Sequence, residues 1–133
     1  MAPESRERFK FPKASRLTRT AEFVLVKKDG KSWTGRHLTL GILHRAGENV
    51  VRVGIITTRR LGQAVVRNRV RRRLREVFRL NQHRVVSGIW IVTIARMSAA
   101  EASFHQLERD WLRLAGRASI LAPVSHDQFD NEP

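Results

Sequence analysis

The sequence predicts an α+β fold: a two-layer sandwich with a four-stranded sheet and the element order α-β-β-β-α-β-α. Three observations predict it. Apolar residues alternate with other residues over 37–45 and 50–58 and run almost unbroken over 89–95, which is strand patterning. Over 64–80 they recur at helical spacing instead. The helical segment separates two strand segments, so 50–58, 64–80 and 89–95 make a split βαβ unit, right-handed on base rates.

Taken in order, residues 1–15 are polar and basic, with Pro3 and Pro12, and are expected to form a flexible basic N-terminal segment. Thr20 is placed to cap a short helix over 21–28, with Phe23 and Val26 on one face and Gly30 as its stop. Lys31–Thr34 is a short strand. In 37–45, Leu38, Leu40 and Ile42 share one face; His37, Thr39 and Gly41 share the other. Ala46–Asn49 reads as a turn, and Val51, Val53 and Ile55 line one face of the next strand, with Arg52 and Gly54 opposite. The two strands are expected to pair as an antiparallel hairpin. In 64–80, Val66, Val70, Leu74, Val77 and Phe78 form one stripe. Ser98-Ala-Ala-Glu101 fits a capping box opening the last helix, whose apolar side is Phe104, Leu107, Trp111, Leu112 and Leu114. Residues 16–118 thus form the domain, and 119–133 turn acidic and read as a flexible tail.

The 133 residues fit one domain, and a 41% hydrophobic content supports a core. The formal net charge is +14, and the 26 basic residues comprise 21 arginines and 5 lysines. Such a charge repels itself unless an acidic partner neutralises it. Guanidinium forks phosphate and stacks on bases, which ammonium does not; a codon bias toward arginine explains the excess equally well but not the net charge. There is no cysteine, which removes disulfides and thiolate chemistry and fits a reducing cytoplasm. No apolar signal region opens the chain and no run approaches a membrane span.

Hydrolytic machinery is also missing from the pattern. Between residues 31 and 100 the acids are Glu48, in a turn, and Glu76, with Arg72 one helical turn away. His37, His44, His83, His105 and His126 show no metal-ligand spacing. There is no P-loop and no GxGxxG. No cofactor is expected on protein side chains.

What the sequence does carry is a basic helix. Arg67, Arg69, Arg71, Arg72, Arg73, Arg75 and Arg79 surround the apolar stripe. Their i,i+4 repulsions destabilise an isolated helix by a few tenths of a kcal/mol each, and phosphates would relieve them. Contact with six to eight phosphates gives a slope of log K on log salt of about −5 to −7. Asn68 either reads a base edge or a 2′-OH, or caps the rest of the helix. Arg59 and Arg60 extend the basic surface into the preceding loop. Phe23, Val26 and Trp33, beside the sheet face of His37 and Arg52, form either an aromatic single-strand platform or, for Phe23, ordinary core.

Arg67-Asn68-Arg69, extended as AVVRNRVRRRLREVFR, resembles the signature of the protein subunit of bacterial ribonuclease P. RLTRTAEFVLV before it, RVGIITTRRLGQ leading into it, IVTIAR after it and the amphipathic closing helix agree over residues 16–118. The resemblance implies a ribosomal protein S5 domain 2-like fold with a left-handed crossover, against the base rate. It implies an endoribonuclease whose catalyst is an RNA using Mg²⁺ to remove the 5′ leader of precursor tRNA, with the protein as a monomeric binding subunit in a 1:1 complex. By that analogy Arg67, Asn68, Arg69, Arg71, Arg72 and Arg75 face the ribonuclease P RNA. Phe23, Val26, Trp33, Arg52, Arg59 and Arg60 are assigned to the leader cleft. The chain departs from the family at Arg59-Arg60, usually Lys-Lys, at Lys27 and Gly41, where aromatics are common, and at Trp90, commonly Asp. A structural ribosomal protein without a leader cleft is the alternative. A DNA regulator would need a dimer surface, and membrane binding fails because the Arg helix turns its apolar stripe to the core.

Overall fold

The computed structural model describes residues 16–122, and α1 (Thr20–Asp29) is its first helix. The cap of α1 comes from within its first turn: the Glu22 carboxylate accepts the Thr18 and Arg19 N–H groups, each at 3.0 Å. Thr20 is the first helical residue rather than the cap. Gly30 stops the helix as expected, its N–H donating to the Val26 carbonyl at 2.8 Å. A Cβ at Gly30 would lie 2.4 Å from the Ile42 carbonyl oxygen, so glycine is what lets the helix end rest on the sheet.

The strands are β1 (Lys31–Thr34), β2 (Leu38–His44), β3 (Val51–Ile56) and β4 (Ile89–Ala95), in the spatial order β1-β2-β4-β3. β1 and β4 flank β2 antiparallel, and β3 runs parallel to β4. The α+β class with one four-stranded sheet stands. Two details change. β2 and β3 do not form a hairpin, because β4 lies between them. The βαβ unit is not split, because β3 and β4 are immediate neighbours. The reason is burial: Ile89, Trp90, Ile91 and Val92 of β4 are buried in succession, and a strand buried on both faces belongs inside a sheet.

The helix between those strands is α2 (Ala64–Asn81), and α3 (Phe104–Arg117) packs beside it. Together they cover one sheet face. Leu38, Leu40, Ile42, Val53, Ile89 and Ile91 of the sheet meet Val70, Leu74 and Val77 of α2 and Leu107 and Leu114 of α3. Phe78 and Trp111 meet edge to face at 6.3 Å between centroids. The buried indole N–H of Trp111 is satisfied by Thr93 Oγ1 at 3.2 Å. On the opposite face α1 packs over a smaller cluster of Leu17, Val26, Leu43, Trp90 and Val92.

α3 starts later than expected. Ser98 lies in a short 3₁₀ turn, Met97–Ala100, where its hydroxyl donates to the Arg36 carbonyl and meets His37 Nδ1 at 2.8 Å. The capping box is Ser103 with Gln106. Asp110, 3% exposed, ties α3 to the start of β2. It accepts the backbone N–H groups of Arg36, His37 and Leu38 at 3.3, 2.9 and 3.0 Å, and Arg113 Nη2 at 2.7 Å. Ser119 adopts φ 60° after the helix; Ile120 is buried and Leu121 bridges to Val85. The domain therefore extends to at least residue 122, past the expected boundary at 118. The N-terminal segment 1–15 and the rest of the acidic tail, 123–133, lie outside the described residues.

Candidate nucleic-acid interface

The arginines of α2 fall into three sectors, because each residue turns about 100° around the axis and the stripe Val70, Leu74, Val77 faces the core. On one flank, Arg69 Nη2 donates to the Ala100 carbonyl at 3.0 Å and Arg73 Nη1 to the Ala102 carbonyl at 2.7 Å. These two latch α2 to the turn before α3. On the other flank, Arg67, Arg71 and Arg75 lean toward the end of β3, where Arg71 Nη2 donates to Thr57 Oγ1 at 2.6 Å. Asn68, Arg72 and Arg79 hold the outer sector, with Arg79 closed on Glu76 in an i,i+3 ion pair. Arg72, the i,i+4 partner expected for Glu76, is exposed instead.

This sorting separates structural from available cations. Burial, and then the nearby charges of Arg16 and Arg71, hold the Arg75 guanidinium below its usual pKa. That is local crowding of like charge, which an anion would relieve. The Arg67 Nε is buried and makes no hydrogen bond. Asn68 is exposed inside the helix and its Oδ1 accepts from Arg71 Nη1 at 2.9 Å. The helix cap position is Gln63, so Asn68 is not a cap.

The opposite sheet face holds a groove of about 420 Å³ under α1. Phe23, Val26 and Lys27 form one wall, and Gly41, Ile56 and Ile94 part of the floor. Two sheet glycines make it: a Cβ on Gly54 would lie 2.4 Å from Phe23 Cε1, and one on Gly41 would lie 3.3 Å from Val26 Cγ1. The Phe23 ring sits on Gly54, half-buried, with one side left to the groove. Across Ile94 the groove continues into a basin of about 780 Å³ rimmed by Arg36, Arg59, Arg60 and Arg96.

Not every residue assigned to the cleft from sequence is there. Trp33 lies opposite Leu40 in the β1–β2 register, paired residues share a face, and Leu40 belongs to the main core; Trp33 therefore packs on the α2–α3 side. His37 is buried under Ser98 rather than exposed. Arg52 is on the correct face but outside the groove lining: it donates to Glu22 Oε2 at 2.6 Å and to the Arg16 carbonyl at 3.0 Å. Trp90 shares that face but is sealed. Its N–H donates to Glu48 Oε1 at 3.0 Å, and the Arg45 and Arg52 guanidiniums lie 4.5 and 5.1 Å from its ring. Neither tryptophan fills the groove. The sequence reading missed Arg36 and Arg96, isolated cations that the sheet end brings to Arg59 and Arg60. Among the described residues no three His, Cys, Asp or Glu side chains converge as a metal site, and no helix is long and apolar enough to cross a membrane.

An Arg-lined helix on one side of a sheet and a cation-rimmed apolar groove on the other define a nucleic-acid-binding α+β protein. The family model for ribonuclease P matches residues 11–119, and the chain belongs to that family. It is 40% identical over 109 residues to the ribonuclease P protein component of Symbiobacterium thermophilum, covering 82% of this chain and 95% of the relative. It is 33% identical over 105 residues to that of Natranaerobius thermophilus, covering 79% and 90%. Among solved structures, the RNase P protein of Staphylococcus aureus superposes with a TM-score of 0.76 at 27% identity, covering 82% of this chain and 99% of that one. The RNase P protein from Thermotoga maritima gives 0.70 at 31% identity, covering 77% and 96%.

Proposed function

We propose that this chain is the binding subunit of a ribonuclease P ribonucleoprotein that seats α2 on the catalytic RNA and holds the 5′ leader of precursor tRNA in the groove beneath α1. Family membership supports the subunit role in tRNA 5′ maturation. The observation that carries the division of labour is the placement of the two features on opposite faces of one sheet, so both RNAs can be held at once.

On α2, Arg67, Asn68, Arg71, Arg72 and Arg75 take the catalytic RNA: guanidiniums fork phosphates, and the exposed Asn68 amide offers a donor to a base edge or 2′-OH. Arg69 of the same motif acts by holding α2 on the Ala100 carbonyl, leaving its other donors for RNA. In the groove, Phe23 stacks a leader base while Val26 shapes the wall, and Arg59 and Arg60 neutralise the strand as it crosses the basin. Glycine at position 41 and lysine at 27 leave this groove wider and less aromatic, so charge takes a larger share of leader binding. Hydrolysis and its Mg²⁺ belong to the RNA; the protein works as a monomer in a 1:1 complex, in the cytoplasm. The test is cleavage of precursor tRNA by a bacterial ribonuclease P RNA at low Mg²⁺. Cleavage that appears only with the protein is the expected result. Binding without any change in cleavage would overturn the subunit mechanism and favour a purely structural RNA binder.

A further inference from the structure

A second basic surface lies on α3, apart from both features above. His105, Arg109, Arg113 and Arg117 follow at intervals of four residues, and all four are exposed. Each step is about 6 Å along the axis, so the stripe runs the length of the helix on the side away from the core. The two acids of α3 point elsewhere. Glu108 accepts Asn81 Nδ2 on α2 at 3.0 Å, and Asp110 is buried. Like charges at this spacing destabilise a helix slightly, and here no acid on the outer side offsets them.

At its N-terminal half the stripe borders a notch of about 190 Å³ lined by Arg36, His37, Gln106, Arg109, Asp110 and Arg113. The notch is built. Asp110 fixes the backbone at Arg36, His37 and Leu38 and holds the Arg113 guanidinium, whose side chain stays 62% exposed. The Ser98 hydroxyl holds the Arg36 carbonyl from the other side. Among the described residues no carboxylate pairs with Arg36 or Arg109. Three guanidiniums thus converge on a small concavity, one of them oriented by a buried carboxylate.

We propose that this notch binds a backbone phosphate of the catalytic RNA, and that the α3 stripe extends the α2 contact across the helix layer. The proposal rests on the reading of α2 given above. The catalytic RNA is the occupant because α3 shares its layer with α2, whereas the groove opens on the other side of the sheet. Arg36, on the rim of both notch and basin, marks where the two RNA paths meet.

The test uses the full-length protein, a bacterial ribonuclease P RNA, and the double variant R36A/R109A. Both side chains are exposed, and Arg113 is kept to satisfy Asp110. Protein–RNA affinity should fall at least tenfold, and the slope of log K on log salt should become shallower by about 1.5, from roughly 0.7–0.9 per lost phosphate contact. The ratio of affinities for precursor and mature tRNA should not change. An unchanged affinity and slope would show a merely solvated face and overturn the proposal. A reduced precursor-to-mature ratio with normal catalytic-RNA affinity would place the leader in the notch and overturn it equally. R67A/R72A run in parallel separates the two readings. If that variant also binds normally, the α2 assignment has failed; if it binds weakly while R36A/R109A binds normally, only the notch has failed.

Discussion

One face of the sheet is roofed by two helices and the other by one, and the two faces differ in kind. Under α2 and α3 the side chains interlock around Trp111, Leu107 and Val77, all 2% exposed or less. Under α1 the cluster is smaller, and Phe23, Ile56 and Ile94 remain half-buried. A ten-residue helix cannot cover a four-stranded sheet, and the uncovered strip is the groove. The closed face supplies stability and, on its outside, a rigid platform for arginines. The open face gives up burial and gains a place for a ligand.

Substitutions sharpen this contrast. The largest effect is expected on the closed face: Trp111→Ala should cost about 3–5 kcal/mol in chemical unfolding, from lost volume and a residual cavity. Phe23→Ala should cost clearly less, because half of its ring already meets solvent. Equal losses at the two sites would break the comparison.

Asp110→Asn comes next, at about 2–3 kcal/mol, since an amide cannot accept from three backbone N–H groups and a guanidinium as a carboxylate does. The same group sets a pH dependence. Burial pushes its pKa up, but the N–H donors of His37, Arg36 and Leu38 and the Arg113 guanidinium outweigh it and hold the carboxyl below its ordinary 3.8. A depressed native pKa gives stability that is present above the unfolded value and is lost as pH falls through the native one. The wild type should therefore lose this increment in acid below about pH 4, in urea titrations followed by circular dichroism. In the Asn variant that part of the acid dependence should be absent.

A smaller effect is expected at Gly54. Gly54→Ala forces Phe23 off the sheet, at a cost of about 1–3 kcal/mol, and should lower precursor binding more than mature tRNA binding. Equal loss for both would mean that Phe23 is only a packing residue.

How much of this was legible in the sequence depends on the kind of information each feature carries. Period-2 patterning gave the faces of β2 and β3 correctly, since alternation is a local property. It could not give strand neighbours: the turn at 46–49 resembles a hairpin connection, and only the two-sided burial of β4 places that strand between β2 and β3. Two capping boxes compete near α3, and Ser103–Gln106 wins because it stands one turn before Leu107 and so matches the apolar period; Ser98 is diverted to Arg36 and His37. Trp33 was assigned to the wrong face because its direction follows from pairing with Leu40. The α2 stripe was read correctly, but the latching of Arg69 and Arg73 depends on carbonyls about thirty residues away. Asp110 did carry a signal, an acid on the apolar side of α3 between Leu107 and Leu114, which marks a buried polar anchor.

The central claim is that the two faces hold two different RNAs. The most direct measurement compares R67A/R72A with Phe23→Ala for affinity to the catalytic RNA and, in the assembled complex, for the precursor-to-mature tRNA affinity ratio. The account predicts that R67A/R72A weakens only the first, at least tenfold, and that Phe23→Ala lowers only the second, by several fold. Either variant depressing both quantities to the same degree would contradict it.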